Sequence, residues 1–471
     1  MSYKQVQHRA NRPMLIPPTT VSLSAWNYLC FLVVLAACFI FIAPAEATGP
    51  EYQSYQQPAP ESVLELDSTF GELPDAERQR LEQRRQRREL LKHIFWDAAD
   101  LVLSPRTYYL NRQREDNPDS AAWAAGGALR YRTGNYKDRL QLGASLFTSQ
   151  KLYGPNNKDG TVLLKKDQKS FSVLGEAYAR VRLKGTMEFS GYRQSLNVPY
   201  VNAQDSRMVP NTFEAYLVRD RDHPRFNYIA GYVTKIKRRN ETSFIHMSEA
   251  AGAANSDEGL SMIGGLYRFS EHMNLGAINY NTRDTLNIFY TEGHAAWDIS
   301  DELALRLSAQ YTDQRSVGDE LIGDIDTHVG GLRLAASYRN AILSLAWTST
   351  ADEGGIRSPY GGYPGYISLI HKDFNRAGED AWLVGLSYTF SDFGLPGLSV
   401  FANYASGDTP ELGAGASPDQ DEVDLTIDYR FGGKLENLWL RARAASVDQD
   451  GPGAIDADDY RIIVNYTLPL H

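Results

Sequence analysis

Residues 460–470 read YRIIVNYTLPL. Tyr460, Ile462, Val464, Tyr466, Leu468 and Leu470 share one face of an extended chain, while Arg461, Ile463 and Asn465 share the other, because successive side chains of a strand point to opposite sides. One face is greasy and the other mostly polar. The same pattern recurs upstream in Leu425, Ile427, Tyr429 and Phe431 against Thr426, Asp428 and Arg430, in Leu303 to Tyr311, in Trp382 to Phe390 and in Leu140 to Leu146. Several of these runs end in Trp, Tyr or Phe, as an aromatic girdle at a lipid interface requires. Their connections are unequal. Short ones, such as Tyr338–Ala341 and Phe390–Leu398, alternate with long polar ones at 150–170, 193–213, 237–259, 312–328, 349–380 and 405–422. A soluble sandwich shares the alternation but not this asymmetry, which marks short turns on one side of a membrane and long loops on the other.

The expected fold is therefore all-β, a transmembrane antiparallel β-barrel. At roughly 20 residues per strand with its loop, the chain from residue 96 to 471 gives about 18 strands, an even number as closure requires. Closure pairs every backbone amide inside lipid, which an open sheet cannot do.

Ahead of the barrel, Leu29–Ile42 (LCFLVVLAACFIFI) follows Lys4, Arg9 and Arg12 and precedes Ala43-Pro44-Ala45-Glu46-Ala47. A basic region, a short apolar core and a small-residue cleavage motif make 1–47 a signal peptide. Leu35-Ala36-Ala37-Cys38 also fits a lipoprotein site, and an uncleaved anchor is a third reading. Both cysteines, Cys30 and Cys38, lie in this segment, so the exported barrel has no disulfide to lean on. Residues 48–95 read as a periplasmic Pro/Glu/Gln-rich linker followed by a helix, Asp75–Leu91, rich in arginine. That helix is read as solvated; contact of Arg84, Arg85, Arg87 and Arg88 with anionic headgroups, or insertion into a channel mouth, are the alternatives.

The formal charge is −10, and Lys and Arg are spread through nearly every segment, which argues against nucleic acid as a partner. Arginine and lysine cannot face lipid cheaply, since a midplane Arg or Lys costs a barrel about 2–4 kcal/mol. Arg130, Arg132, Arg180, Arg182, Lys184, Arg333, Arg430, Arg441, Arg443 and Arg461 therefore point to the lumen in this reading. They make a cationic track for carboxylates, or else a generic polar lining with Glu188 and Asp428 as counter-charges.

Arg106-Thr107-Tyr108-Tyr109-Leu110-Asn111-Arg112, Asp205 to Phe213, Gly394-Leu395-Pro396-Gly397-Leu398-Ser399 and the closing stretches Asp424–Phe431 and Asp458–Tyr466 together resemble the outer-membrane porin D (OprD-type) family. The resemblance implies a substrate-specific porin of the bacterial cell outer membrane, with a loop folded inward as a constriction and a basic ladder guiding carboxylate-bearing solutes. Asn197–Phe213 resembles that loop, so Tyr200, Asp205, Ser206 and Arg207 are the constriction candidates, with an Asp205–Arg207 brace as the plainer reading. Two features depart from the family: the arginine-rich extension, and an ending in Leu470-His471 where an aromatic residue is usual.

Nine histidines stand without metal-ligand spacing, and the acidic loops Asp408–Asp424 and Asp448–Asp459 lack the ligand spacing of a calcium loop, so no cofactor and no metal are expected. No GxSxG motif is present, so no catalytic residue is assigned and no enzyme is expected, although a barrel enzyme, like a general diffusion porin, stays as a rival. The expected partners are small-molecule solutes, outer-membrane lipid and the barrel assembly machinery. A homotrimer is common among porins, but the chain carries no interface signal for one.

Overall fold

The computed structural model describes residues 75–471 apart from Asp116 and Ala414. The signal, the linker before the helix and the candidate lipid site at Cys38 lie outside the described residues. No helix among those described is long and apolar enough to cross a membrane.

Eighteen long strands form one antiparallel sheet. The first half comprises β1 (Asp100–Arg114), β2 (Ser120–Arg132), β3 (Leu140–Tyr153), β4 (Phe171–Arg182), β5 (Met187–Gln194), β6 (Thr212–Asp220), β7 (Phe226–Lys237), β8 (Leu260–Arg268) and β9 (Met273–Thr282). The second half comprises β10 (Leu286–Asp298), β11 (Leu303–Ser316), β12 (Asp326–Tyr338), β13 (Ala341–Thr350), β14 (Asp380–Thr389), β15 (Leu398–Asp408), β16 (Asp419–Arg430), β17 (Leu438–Asp450) and β18 (Ala457–Tyr466). Two-residue segments at Ile245–His246 and Leu468–Pro469 pair at the margins. Each long strand pairs with its neighbours in sequence, and β18 closes on β1 from Arg106↔Asn465 to Arg114↔Ala457. The barrel is closed and has no free edge.

Alternation now has a geometric meaning. Leu307, Leu334, Leu345 and Val384 stand in one cross-strand row and are exposed, whereas Ser308, Arg333 and Ala346 occupy the adjacent row on the other face. The first row faces lipid and the second the lumen. At the short-turn end, Tyr267 with Phe269, Tyr388 with Phe390, and Tyr429 with Phe431 form edge-to-face pairs that make a girdle. The turn Phe390–Gly397 needs its glycines: Gly394 has φ 75°, and a Cβ on Gly397 would sit 1.9 Å from the Arg430 carbonyl oxygen.

Three bulges interrupt the ladder, between β2 and β3, β3 and β4, and β6 and β7. The second inserts Gly175 and sets the facing of Arg180 and Arg182 beyond it. β4 ends at Arg182, so Lys184 falls in an exposed turn rather than on the wall where alternation had placed it. Ahead of the barrel, α1 (Asp75–Lys92) runs into a π-helical turn, His93–Asp97.

Charge on the lipid row tests this assignment. Leu334→Arg should lower folding stability in bilayers by about 2–4 kcal/mol, read from denaturant titration of the barrel in vesicles, whereas Ala346→Ser on the lumen face should leave it within about 1 kcal/mol.

Candidate functional site

Long connections that emerge at one end fold back inside the barrel. Loop 195–211 crosses the lumen. At one end Tyr200 is fully buried, donates to Thr312 Oγ1 on β11 at 2.9 Å, and packs edge-to-face with Tyr290 and Tyr363. Tyr280 on β9 donates to the Pro199 carbonyl. At the other end Arg106 on β1 holds Asp205 at 2.6 Å and donates to the Arg207 carbonyl at 2.5 Å. Asp205 thus pairs with Arg106 rather than Arg207. Arg207 donates instead to the Thr161 carbonyl at 2.9 Å, and burial pushes its guanidinium down to about 9, with Arg461 as the next cause. Ser206 Oγ accepts from Arg239 at 2.8 Å. Of the four candidates, Asp205, Ser206 and Arg207 gather near β1, while Tyr200 is a packing anchor on the far wall.

A second inward loop, 351–379, lies within the connection 349–380 that the sequence marks as polar. It buries Tyr360, Tyr363, Ile367 and Phe374, and exchanges two hydrogen bonds with loop 195–211 through Asn202 and Gly362, at 3.0 and 2.8 Å. Its own sequence held the signal: tyrosines and isoleucines too apolar for a solvated loop. His371 in this loop has no hydrogen-bond partner for either ring nitrogen among the described residues, and burial, then Arg112, push it down to about 3. It stays neutral across physiological pH.

The lumen-facing arginines fall into groups. Arg461 pairs with Asp459 at 2.6 Å and donates to the Ile370 carbonyl; Arg443 lies directly across from it and donates to Thr426; Arg441 grips Asp428 through two bonds of 2.7 Å. Arg430 and Arg441 stand over the Trp439 ring at 5.0 and 4.5 Å. On the next strands, Arg130 stacks over Phe147 at 5.6 Å, and Arg132 pairs with Asp100 at the short-turn rim. Arg180 shares Glu188 with Arg219, at 3.0 and 2.6 Å, and Arg182 lies across from Glu188. These run in sequence around the wall from β16 through β1 to β6. Arg333 on β12 stands apart, over the Tyr366 ring at 4.7 Å.

Sequence reasoning missed Arg106, Arg112 and Arg219 as members of this wall, where Arg106 and Arg112 share a strand face with the apolar Tyr108, and Arg219 with Leu217. It also missed Trp439 and Asn465. These two, with Arg106, Arg130, Phe147 and Met208, line a recess of about 200 Å³ against loop 195–211. Asn465 Oδ1 accepts from Arg106 Nε at 2.7 Å, while Asn465 Nδ2 and Trp439 Nε1 have no hydrogen-bond partner among the described residues. A second recess of about 390 Å³ lies on the other flank of that loop, where Glu292 accepts from Tyr366 and approaches His294. Among the described residues, no group of three or more His, Cys, Asp or Glu is placed to hold a metal.

Residues 93–470 match the profile of a family described as outer membrane porin, OprD family. The chain belongs to the OprD family. This OprD-family porin is 23% identical to Porin D of Pseudomonas aeruginosa over 418 residues, covering 80% of this chain and 92% of that protein. It is 22% identical to the porin-like protein GalP of Pseudomonas putida over 397 residues, covering 81% and 95%. Among solved structures, Pseudomonas aeruginosa OpdK with vanillate superposes with a TM-score of 0.72 at 24% identity, and OccK2 (OpdF) in complex with glucuronate with 0.68 at 21%; each match covers 80% of this chain and all of the other. The porin is an outer-membrane protein, and its barrel forms a channel for solutes.

The Arg106–Asp205 pair ties the crossing loop to the wall. Asp205→Asn in this OprD-family porin should raise single-channel conductance and open-state noise in planar bilayers and shift the reversal potential toward anions, since it frees both the loop and the guanidinium. An unchanged trace would show that the pair does not hold the aperture.

Proposed function

We propose that the channel passes small carboxylate-bearing solutes, such as amino, organic or aromatic acids, by passive diffusion. The observation that carries this reading is the recess beside loop 195–211, where Arg130 meets an apolar wall of Phe147 and Met208, Arg106 lies bound to Asp205 at the edge, and Trp439 Nε1 and Asn465 Nδ2 have no hydrogen-bond partner among the described residues. A guanidinium fork matches a carboxylate through paired, charge-assisted hydrogen bonds. An unsatisfied buried donor costs about 1–3 kcal/mol, and a solute oxygen that reaches it relieves that cost. Beyond the recess, Arg180, Arg182, Arg430, Arg441, Arg443 and Arg461 provide successive handholds, with Arg132 at the rim. Several of them are already matched by carboxylates of the wall, which keeps each site weak. Weak sites in series are what conduction needs, because a solute must leave as readily as it arrives. Arg333, against the second inward loop, belongs to a separate flank.

The names of two solved relatives point the same way, since vanillate and glucuronate are both carboxylates. The proposal includes passage without catalysis, folding of the chain by the barrel assembly machinery, and a homotrimer as the assembly to be tested in solution. A general diffusion porin is the second reading. It is favoured only by the counter-charges Asp428, Asp459 and Glu188, which neutralise part of the track.

Single-channel recording with benzoate and benzamide separates the two. Benzoate should produce brief blocks that benzamide does not. Arg130→Ala should raise the half-blocking concentration on the order of tenfold, as loss of a charge-assisted bond of about 1.5 kcal/mol implies. Trp439→Phe, which keeps the ring and removes the N–H, should raise it less. Equal behaviour of the two solutes would leave a general porin.

A further inference from the structure

Among the described residues, the side chains of the arginine-rich helix ahead of the barrel form no hydrogen bond or ion pair with the lumen wall. Its root is fixed on the outside of the wall. Tyr131 lies between Arg130 and Arg132 and in register with Leu101, so it faces lipid where those arginines face the lumen; its hydroxyl donates to the Phe95 carbonyl at 2.5 Å. The Gly134 amide donates to the Ile94 carbonyl at 2.8 Å, and Ile94 is buried. A side chain on Gly134 would meet Ala98, its Cβ 2.7 Å away. The π-helical turn is thereby pinned against the rim, and the ring of Trp96 stands 5.7 Å from that of the terminal His471. Phe95 and Trp96 remain exposed, Trp96 by 62%, at the level of the short-turn girdle.

From that root the helix presents two unlike faces. Arg84, Arg87, Arg88 and Leu91 follow i, i+3, i+4, i+7 spacing and make one stripe, while Gln79, Glu82, Gln83, Gln86 and Glu89 fall opposite. Arg85, between the faces, bonds Glu89 at 3.1 Å. The cationic stripe thus continues a pair of interfacial aromatics, and the acidic and amide residues turn away from it. Short turns mark the periplasmic side of such a barrel.

We propose that this helix docks through Arg84, Arg87 and Arg88 on the phosphate groups of anionic phospholipids in the periplasmic leaflet, with Leu91, Phe95 and Trp96 seated at the headgroup boundary. Its occupant is lipid rather than solute, because the root hangs on the lipid-facing side of β2 and not over the lumen. Basic residues near a membrane surface are drawn to anionic headgroups over about a Debye length, and interfacial aromatics fix depth. The docked helix would brace the seam where β1 leaves the short-turn rim.

The test uses the porin purified from outer membranes, spin-labelled at Leu91→Cys or Gln86→Cys. It is reconstituted in phosphatidylcholine vesicles with or without phosphatidylglycerol. In the anionic vesicles the label at 91 should lose collisions with an aqueous nickel chelate on the order of threefold, the label at 86 should not, and salt should reverse the change. Replacing Arg84, Arg87 and Arg88 together by Glu should abolish the protection while the barrel still inserts. Equal accessibility in both lipids, or equal protection at 86 and 91, would overturn the proposal. So would altered conductance of the triple variant with lipid protection unchanged, which would place the helix at the channel mouth.

Discussion

Everything in this molecule follows from the hydrogen bonding of a backbone that crosses hydrocarbon. A strand in lipid finds no water for its amides, so each must pair with a neighbour and the last must pair with the first. The β18–β1 register, Arg106↔Asn465 through Arg114↔Ala457, meets that demand. Closure then divides side chains by parity. Leucines such as Leu307, Leu334 and Leu345 take the lipid row, and arginines take the other because no cheaper place exists for them. A lumen lined with guanidinium groups is therefore a consequence of the fold as much as a choice of function.

What turns a polar lumen into a selective one is the pair of loops that fill it. Loop 195–211 is clamped at Thr312 on one wall and Arg106 on the other, and loop 351–379 packs its tyrosines behind it. The aperture is thus defined by side chains held at both ends, against a wall whose cations are partly matched by Asp428, Asp459 and Glu188. Partial matching tempers the track: unopposed arginines would hold a carboxylate too long, and fully paired ones would ignore it.

The strands were legible because lipid on one side and water on the other impose alternation over six or more residues, as in Leu425–Arg430 and Tyr460–Tyr466. The unequal turns were legible for the same reason. Bulges were not, since the extra residue at Gly175 changes pairing without disturbing composition, and Lys184 slipped past the strand end unnoticed. The partner of Asp205 could not be read either: Arg106 lies 99 residues away in the chain and meets it only after the barrel closes. Loop 351–379 was legible in part, because Tyr360, Tyr363, Ile367 and Phe374 are too apolar for a solvated connection and are buried. Trp439 shares the lumen face of its strand with Arg441 and Arg443, but it carries no charge to mark it as lumenal.

Of two solutes of equal size, the one that carries a carboxylate is the one this lumen is proposed to pass faster. Uptake into proteoliposomes of glucuronate and of glucuronamide, equal in bulk and differing in the carboxylate, measures this most directly. The carboxylate should enter faster at low ionic strength, with the advantage shrinking as salt screens the lumen. Equal rates for the two solutes under both conditions would contradict it.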